Sequence, residues 1–353
     1  MAVPGLDPGI DPWASAGDPR DEPRDTLTDA GILVDAGTII GNSRLIVVSG
    51  GSEIVLSGGA ASGAVLSGGT EIVSAGGKAS GTIVASGGRE VVHGTASGGT
   101  VRSGGGQIVS SGGVASGVTV KAGGSQIVLS GGTTRTAVLS GGTEVVSVGG
   151  KASATIVDSG GIERVYGRAS GGTIRGGLFE VASGGTASGT VTFVSAGTLQ
   201  LDTSATFTGA IKGFGNPDPQ DQIDLRGVAF GTGTTRIFKE AASNTSGTLT
   251  VTDGTHSVHL TLLGLYTTNN FALFTDSHGG TRVVDPPLAG GGAAQITFAD
   301  IAIGSLADGR PGHANGSPGA ALDTLFHSAA PAGATALVAV VHGGYGAIVT
   351  PVR

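Results

Sequence analysis

The chain has 353 residues, with 69 Gly, 4% aromatic and 13% charged residues, a formal charge of −7 and no cysteine. That composition excludes a disulfide framework and a cysteine-containing zinc site. It also lacks the glycine at every third position of collagen and the high charge that keeps a disordered chain solvated.

Residues 1–30 carry Pro4, Pro8, Pro12, Pro19 and Pro23 among acidic residues, with no apolar core of a signal peptide. They are expected to form a flexible leader, because frequent proline opposes both helix and strand pairing.

Residues 31–206 form a repeat array. The stretch Ser67 to Gly105 recurs as Ser140 to Gly177, an offset of 73 residues. Inside it a shorter beat of Gly-Gly pairs gives turns of about 18 or 19 residues, so the long repeat holds four turns of a solenoid. A short unit, Ser52 to Gly59, alternates with a longer one, Lys78 to Gly88. Each holds a brief run rich in Val, Ile and Thr, too short for a helix but suited to one side of a coil. Gly-Gly supplies corners where positive φ or close backbone approach is needed. Equivalent strands then stack ~4.8 Å apart and satisfy each other's backbone groups. The predicted fold is all-β: a right-handed parallel β-helix of eight or nine turns, with a β-rich C-terminal cap and flexible termini.

Side chains alternate along a strand, so Ile54-Val55, Ile72-Val73, Ile83-Val84 and Val145-Val146 each place one residue inside and one outside. The pattern leaves open which is which, and either register gives a partly apolar outer face. Glu53, Glu71, Glu90, Glu144 and Glu163 recur at equivalent places and are expected to form a solvated ladder, since a repeated position is a poor candidate for a unique catalytic site. Between Arg44 and Leu201 the charges nearly balance. Ser62, Thr82, Ser116, Ser153 and Thr190 are expected to be accessible hydroxyls near tight corners.

Residues 207–285 lose the Gly-Gly beat and read as a β-rich capping module, with strands separated by Asp-Gly and Asn-rich turns and six of the ten Phe. Residues 286–353 form an Ala/Gly/Pro-rich tail in which Ala320 to Ala329 and Ala334 to Val341 suit weak helix or strand.

The sequence predicts no catalytic, cofactor-binding or metal-binding residues. The repeats lack the recurring Asp of calcium-binding β-rolls. Asp218, Asp221, Asp224, Asp253 and Asp276 in the cap are expected to be turn formers bonding their own backbone. His256 and His259, three apart in an expected strand, point to opposite faces; His93, His278, His313, His327 and His342 are scattered. There is no G-x-S-x-G elbow, no H-E-x-x-H and no phosphate loop. No basic stripe with stacking aromatics marks a nucleic-acid partner, and no apolar run approaches the ~20 residues of a membrane-spanning helix.

Val-Leu-Ser-Gly-Gly alternating with Ala-Ser-Gly-Thr-Ile-Val-x-Ser-Gly-Gly, from Ser49 to about Gly197, resembles the AIDA-type repeat of bacterial autotransporter adhesins. The segment Ile211 to Val284 is similar, more loosely, to a module that follows such repeats in some large surface proteins. The resemblance implies a β-helical passenger, at the cell surface (outer membrane associated) or secreted, that mediates adhesion, autoaggregation or biofilm contacts without enzymatic activity. Its implied partners are a host or neighbouring cell surface, matrix or its own copies, and some members carry O-glycans on repeat Ser and Thr. The chain ends in Thr350-Pro351-Val352-Arg353 rather than in a membrane barrel, so the expectation is a passenger without its transport machinery: a fragment, a degraded gene product or cargo for another route. Two alternatives remain at this point: a polysaccharide-acting β-helix enzyme, and a truncated passenger without activity.

Overall fold

The computed structural model describes residues 28–29, 32–35, 45–215, 220–285, 337–341 and 347–351. The chain divides into two compact units, Met1–Ala294 and Gln295–Arg353. The first is a right-handed parallel β-solenoid of about nine turns, as the sequence predicts. In the second, Leu337–Val341 and Ala347–Pro351 pair antiparallel. Most of the leader and of the tail, Ala320 to Ala329 included, lies outside the described residues; at the leader's end Thr28–Asp29 pairs in parallel with Ile46 and Val47.

In most turns the coil has three strands. One side stacks Ser52–Val55, Thr70–Val73, Arg89–Val92 and their equivalents into a 13-stranded sheet, parallel as far as Gln222–Ala229. Thr70, Arg89, Gly106, Ser125, Thr143 and Ile162 are successive partners, steps of 17 to 19 residues, and the 73-residue offset between the two copies equals four of those steps, from Thr70 to Thr143. The other two strands of a turn, such as Lys78–Ser80 and Ile83–Val84, stack in a second sheet; near the C-terminal end they fuse into single long strands, Lys151–Asp158, Arg168–Arg175 and Thr186–Ser195.

Each glycine of a doublet has its own task. Gly76 stands at φ +81°, a backbone region that L side chains rarely adopt. Gly77 has an ordinary φ, but a Cβ there would lie 2.6 Å from the Val55 carbonyl oxygen of the preceding turn. The corner therefore needs the first glycine for its turn and the second for rung-to-rung contact.

In every adjacent apolar pair the second residue is the buried one: Val55, Val73, Val84 and Val146 are sealed, while Ile54, Ile72, Ile83 and Val145 are half-buried on the outside. Because side chains two apart share a face, the residue two before each inward Val of the first side also points inward, and that residue is the repeated glutamate.

At the C-terminal end, Ser257–Leu263 adds in parallel to Ala210–Lys212 and carries an antiparallel ribbon of Ser246–Thr252 and Thr235–Glu240. Gly280–Val284 and Ala272–Thr275 close the long sheet antiparallel. Phe214 packs between Phe193 (centroids 5.5 Å apart) and Phe271 (6.3 Å), and Phe271 also meets Phe238 and Tyr266.

Candidate functional site: a sealed carboxyl ladder and a basic exterior

Glu53, Glu71, Glu90, Glu144 and Glu163 are not solvated. All five are at most 1% exposed, which overturns the expectation of an outer ladder. With Gln107 and Gln126 they make one inward column through paired positions of the long sheet. The column continues as Phe179, Leu199 and Ile223, so the interior changes from polar to apolar toward the cap.

The polar part is bonded in places from Glu90 onward, while neither carboxyl oxygen of Glu71 has a hydrogen-bond partner among the described residues. Gln126 Nε2 donates to Gln107 Oε1, and Gln107 Nε2 donates to Glu90 Oε2 at 2.7 Å. Thr134, which replaces the small alanine of neighbouring turns, donates to Glu144 Oε1. Thr155 Oγ1 lies 3.2 Å from Glu144 Oε2 and 3.3 Å from Glu163 Oε1. A hydroxyl has one proton to donate, so holding both bonds requires that one of these carboxyls carry a proton. Where the column becomes Phe179, the facing wall has Gly172, whose absent Cβ leaves room for the ring.

Burial without a cation disfavours the ionised form. It pushes Glu90 up to about 7 and raises Glu144, while Glu71 and Glu163 go well above the usual range, with further help from neighbouring carboxyls, Glu90 and Glu53 for Glu71 and Glu144 for Glu163. The ladder can store protons, but it is closed to any substrate.

Burying these acids changes the exterior. From Leu45 to Leu201 all nine Lys and Arg are exposed. The two remaining acids are matched: Glu180 accepts from Arg164 Nε at 2.8 Å, and Asp158 lies 4.0 Å from Arg175. The near-balance in the sequence thus becomes a basic outer surface around an acidic interior.

The expected hydroxyls divide similarly. Ser62 and Thr190 are exposed and Ser116 and Ser153 partly so, whereas Thr82 is 2% exposed and lies inside, a correction to its expected accessibility. Inward and outward positions alternate along the strand, and Thr82 occupies an inward one.

In the cap, Asp253 accepts from the backbone N–H groups of Ala229, Thr255 and His256, which hold its carboxyl well below the usual range. Asp276 accepts from the His278 and Gly280 amides, Asp221 from that of Gly215, and Asp224 from Arg226; Asp218 lies outside the described residues. His256 Nδ1 sits 3.1 Å from Asp253 and His259 Nδ1 3.0 Å from Thr250 Oγ1, so the structure does not bring the two imidazoles onto one partner. Asp285 is buried, and burial pushes its carboxyl up to about 6. Among the described residues no group of three His, Asp or Glu is placed to hold a metal ion, and no helix is long and apolar enough to cross a membrane.

A repetitive coil with its acids inside and hydroxyl, apolar and basic columns outside defines the class: a right-handed parallel β-solenoid with patterned outer faces. No family model matches the chain, and no curated protein matches it. Among solved structures it is similar to a TibC-catalysed, hyper-glycosylated fragment of TibA, with 30% identity, 57% of this chain and 93% of that chain covered, and a TM-score of 0.39. The match is distant and partial.

Proposed function

We propose that this chain is a non-enzymatic passenger of adhesin type, acting at the cell surface or after secretion, whose repeated faces make many weak contacts with cells, matrix or its own copies. The observation that carries the reading is the sorting of side chains: the recurring carboxyls are sealed inside, while the outside repeats the same few groups once per rung. One outer column is Ile54, Ile72, Val91, Ile108, Ile127 and Val145, all half-buried and unbroken by charge until Arg164. Repetition of a weak contact raises the effective concentration for the next one.

O-glycans, where attached, belong on the outward serine column of Ser62, Ser80 and Ser97, and not on Thr82. Residues 207–285 act as the cap of the coil, because their strands and aromatic cluster cover its last rungs.

The test uses the purified full chain coupled to beads or displayed on cells. Clumping of coated particles, or retention on a cell or matrix layer, is the expected result. Particles that stay dispersed and unbound, both with and without glycosylation, would remove the proposal.

A further inference from the structure

The basic residues of the exterior are not evenly spread. Arg135, Lys151 and Arg168 lie on three successive rungs of one side, since Arg135 pairs with Ser153 and Lys151 with Arg168. With Ser153, Ser170 and Ser188 they line a shallow groove of about 330 Å³. None of the three cations makes an ion pair among the described residues. No acid lines the groove, because Glu144 and Glu163 of the same turns face the sealed interior. Arg135 stands where Ser97 and Ser116 stand in the preceding turns, so the cluster is a local departure from the repeat.

We propose that this groove binds a linear acidic polysaccharide. Lys151 and Arg168 follow one another at the rung spacing of ~4.8 Å, and Arg135, whose partner is Ser153, stands on the preceding rung two residues further along the strand, so the three form a slanted row suited to an extended polymer that carries carboxylates or sulfates. The serine column supplies hydroxyls for sugar hydroxyls. Ser153 and Ser188 make only 3.4 Å bonds to backbone carbonyls, leaving both free to reorient. The groove has no aromatic ring on which a nucleobase could stack and no large apolar side chain for an acyl chain. Guanidinium groups recognise carboxylate and sulfate oxygens in pairs, which gives direction to an otherwise diffuse attraction. This deepens the contact role proposed above by naming a ligand, and that role survives its failure because the apolar column lies on another side.

The experiment measures binding of polygalacturonate, dextran sulfate, neutral dextran and duplex DNA to the unglycosylated full chain by calorimetry at rising salt. The acidic polysaccharides are expected to bind and to weaken as salt rises. The triple change Arg135→Ser, Lys151→Ser and Arg168→Ser should weaken them about tenfold or more, while Arg89→Ser, Arg102→Ser and Lys121→Ser elsewhere on the coil leave binding within about twofold. Serine already occupies the position equivalent to Arg135 in adjacent turns, and an unchanged circular dichroism spectrum would verify the fold. No binding at low salt, equal binding of neutral dextran, tighter binding of DNA, or equal losses in the two triple variants would each overturn the proposal.

Discussion

Two residues break the corner rule that the rest of the coil obeys. The corner after the second strand holds Gly63, Gly81, Gly98 and Gly117 at positive φ, but Thr136 (φ 49°) and Ala154 (φ 54°) take the same place in later turns. A Cβ in the left-handed region costs about 1–2 kcal/mol. Thr136→Gly and Ala154→Gly are therefore expected to stabilise the chain by about 1 kcal/mol each, less the entropy that glycine adds to the unfolded state. Urea denaturation of the two variants measures this; a loss of stability in both would show that the side chains contribute more than the strain removes.

The carboxyl ladder makes stability depend on pH. Four of its carboxyls titrate higher in the folded coil than the 4.5 of an ordinary glutamate, Glu90 at about 7, Glu144 raised, and Glu71 and Glu163 shifted well upward. Between those values the folded state holds more protons than the unfolded one, so stability falls as pH rises. Below about 4.5 the contribution is fully present, and it drains as pH climbs through about 7 and beyond. Melting temperature should accordingly decline from acid to alkaline solution, the reverse of a protein held by salt-bridged carboxylates. Glu71→Gln combined with Glu163→Gln should flatten that decline and raise the melting temperature at pH 8, by about 2–4 °C for each ~1 kcal/mol recovered. A scan in which the double variant parallels the parent would refute the buried-proton account.

For the whole molecule, the cap decides whether the coil ends in water or in another chain. A parallel coil presents unpaired backbone groups at its last rung, and an uncovered edge recruits other strands. Here the long sheet is closed antiparallel by Gly280–Val284, and Phe214 and Phe271 are fully buried beneath the terminal strands. Phe271→Ala is expected to cost about 3–5 kcal/mol and to loosen the cap before the coil. Light scattering with hydrogen exchange would then show association rising while Thr70–Val73 and its neighbours stay protected. Global unfolding without association would mean that the cap is not a separable cover.

The sequence by itself determined the coil: the turn length, the four-turn duplication and the glycine corners are local, since a brief β-branched run and a glycine doublet have few alternative uses. It did not determine which side of each strand faces in. Alternation with a period of two allows both registers, and Thr-Glu-Ile-Val reads equally well with Thr and Ile inside. One signal favoured the observed choice, because Phe179, Leu199 and Ile223 occupy the glutamate column in later turns, but it is visible only once the rungs are aligned. Closure of the coil settled the matter by turning Val55, Val73 and their equivalents, each two residues after a glutamate, to the sealed side. That decision buried the glutamates, freed the cations and placed Arg135, Lys151 and Arg168 together, so the surface chemistry belongs to the tertiary structure alone.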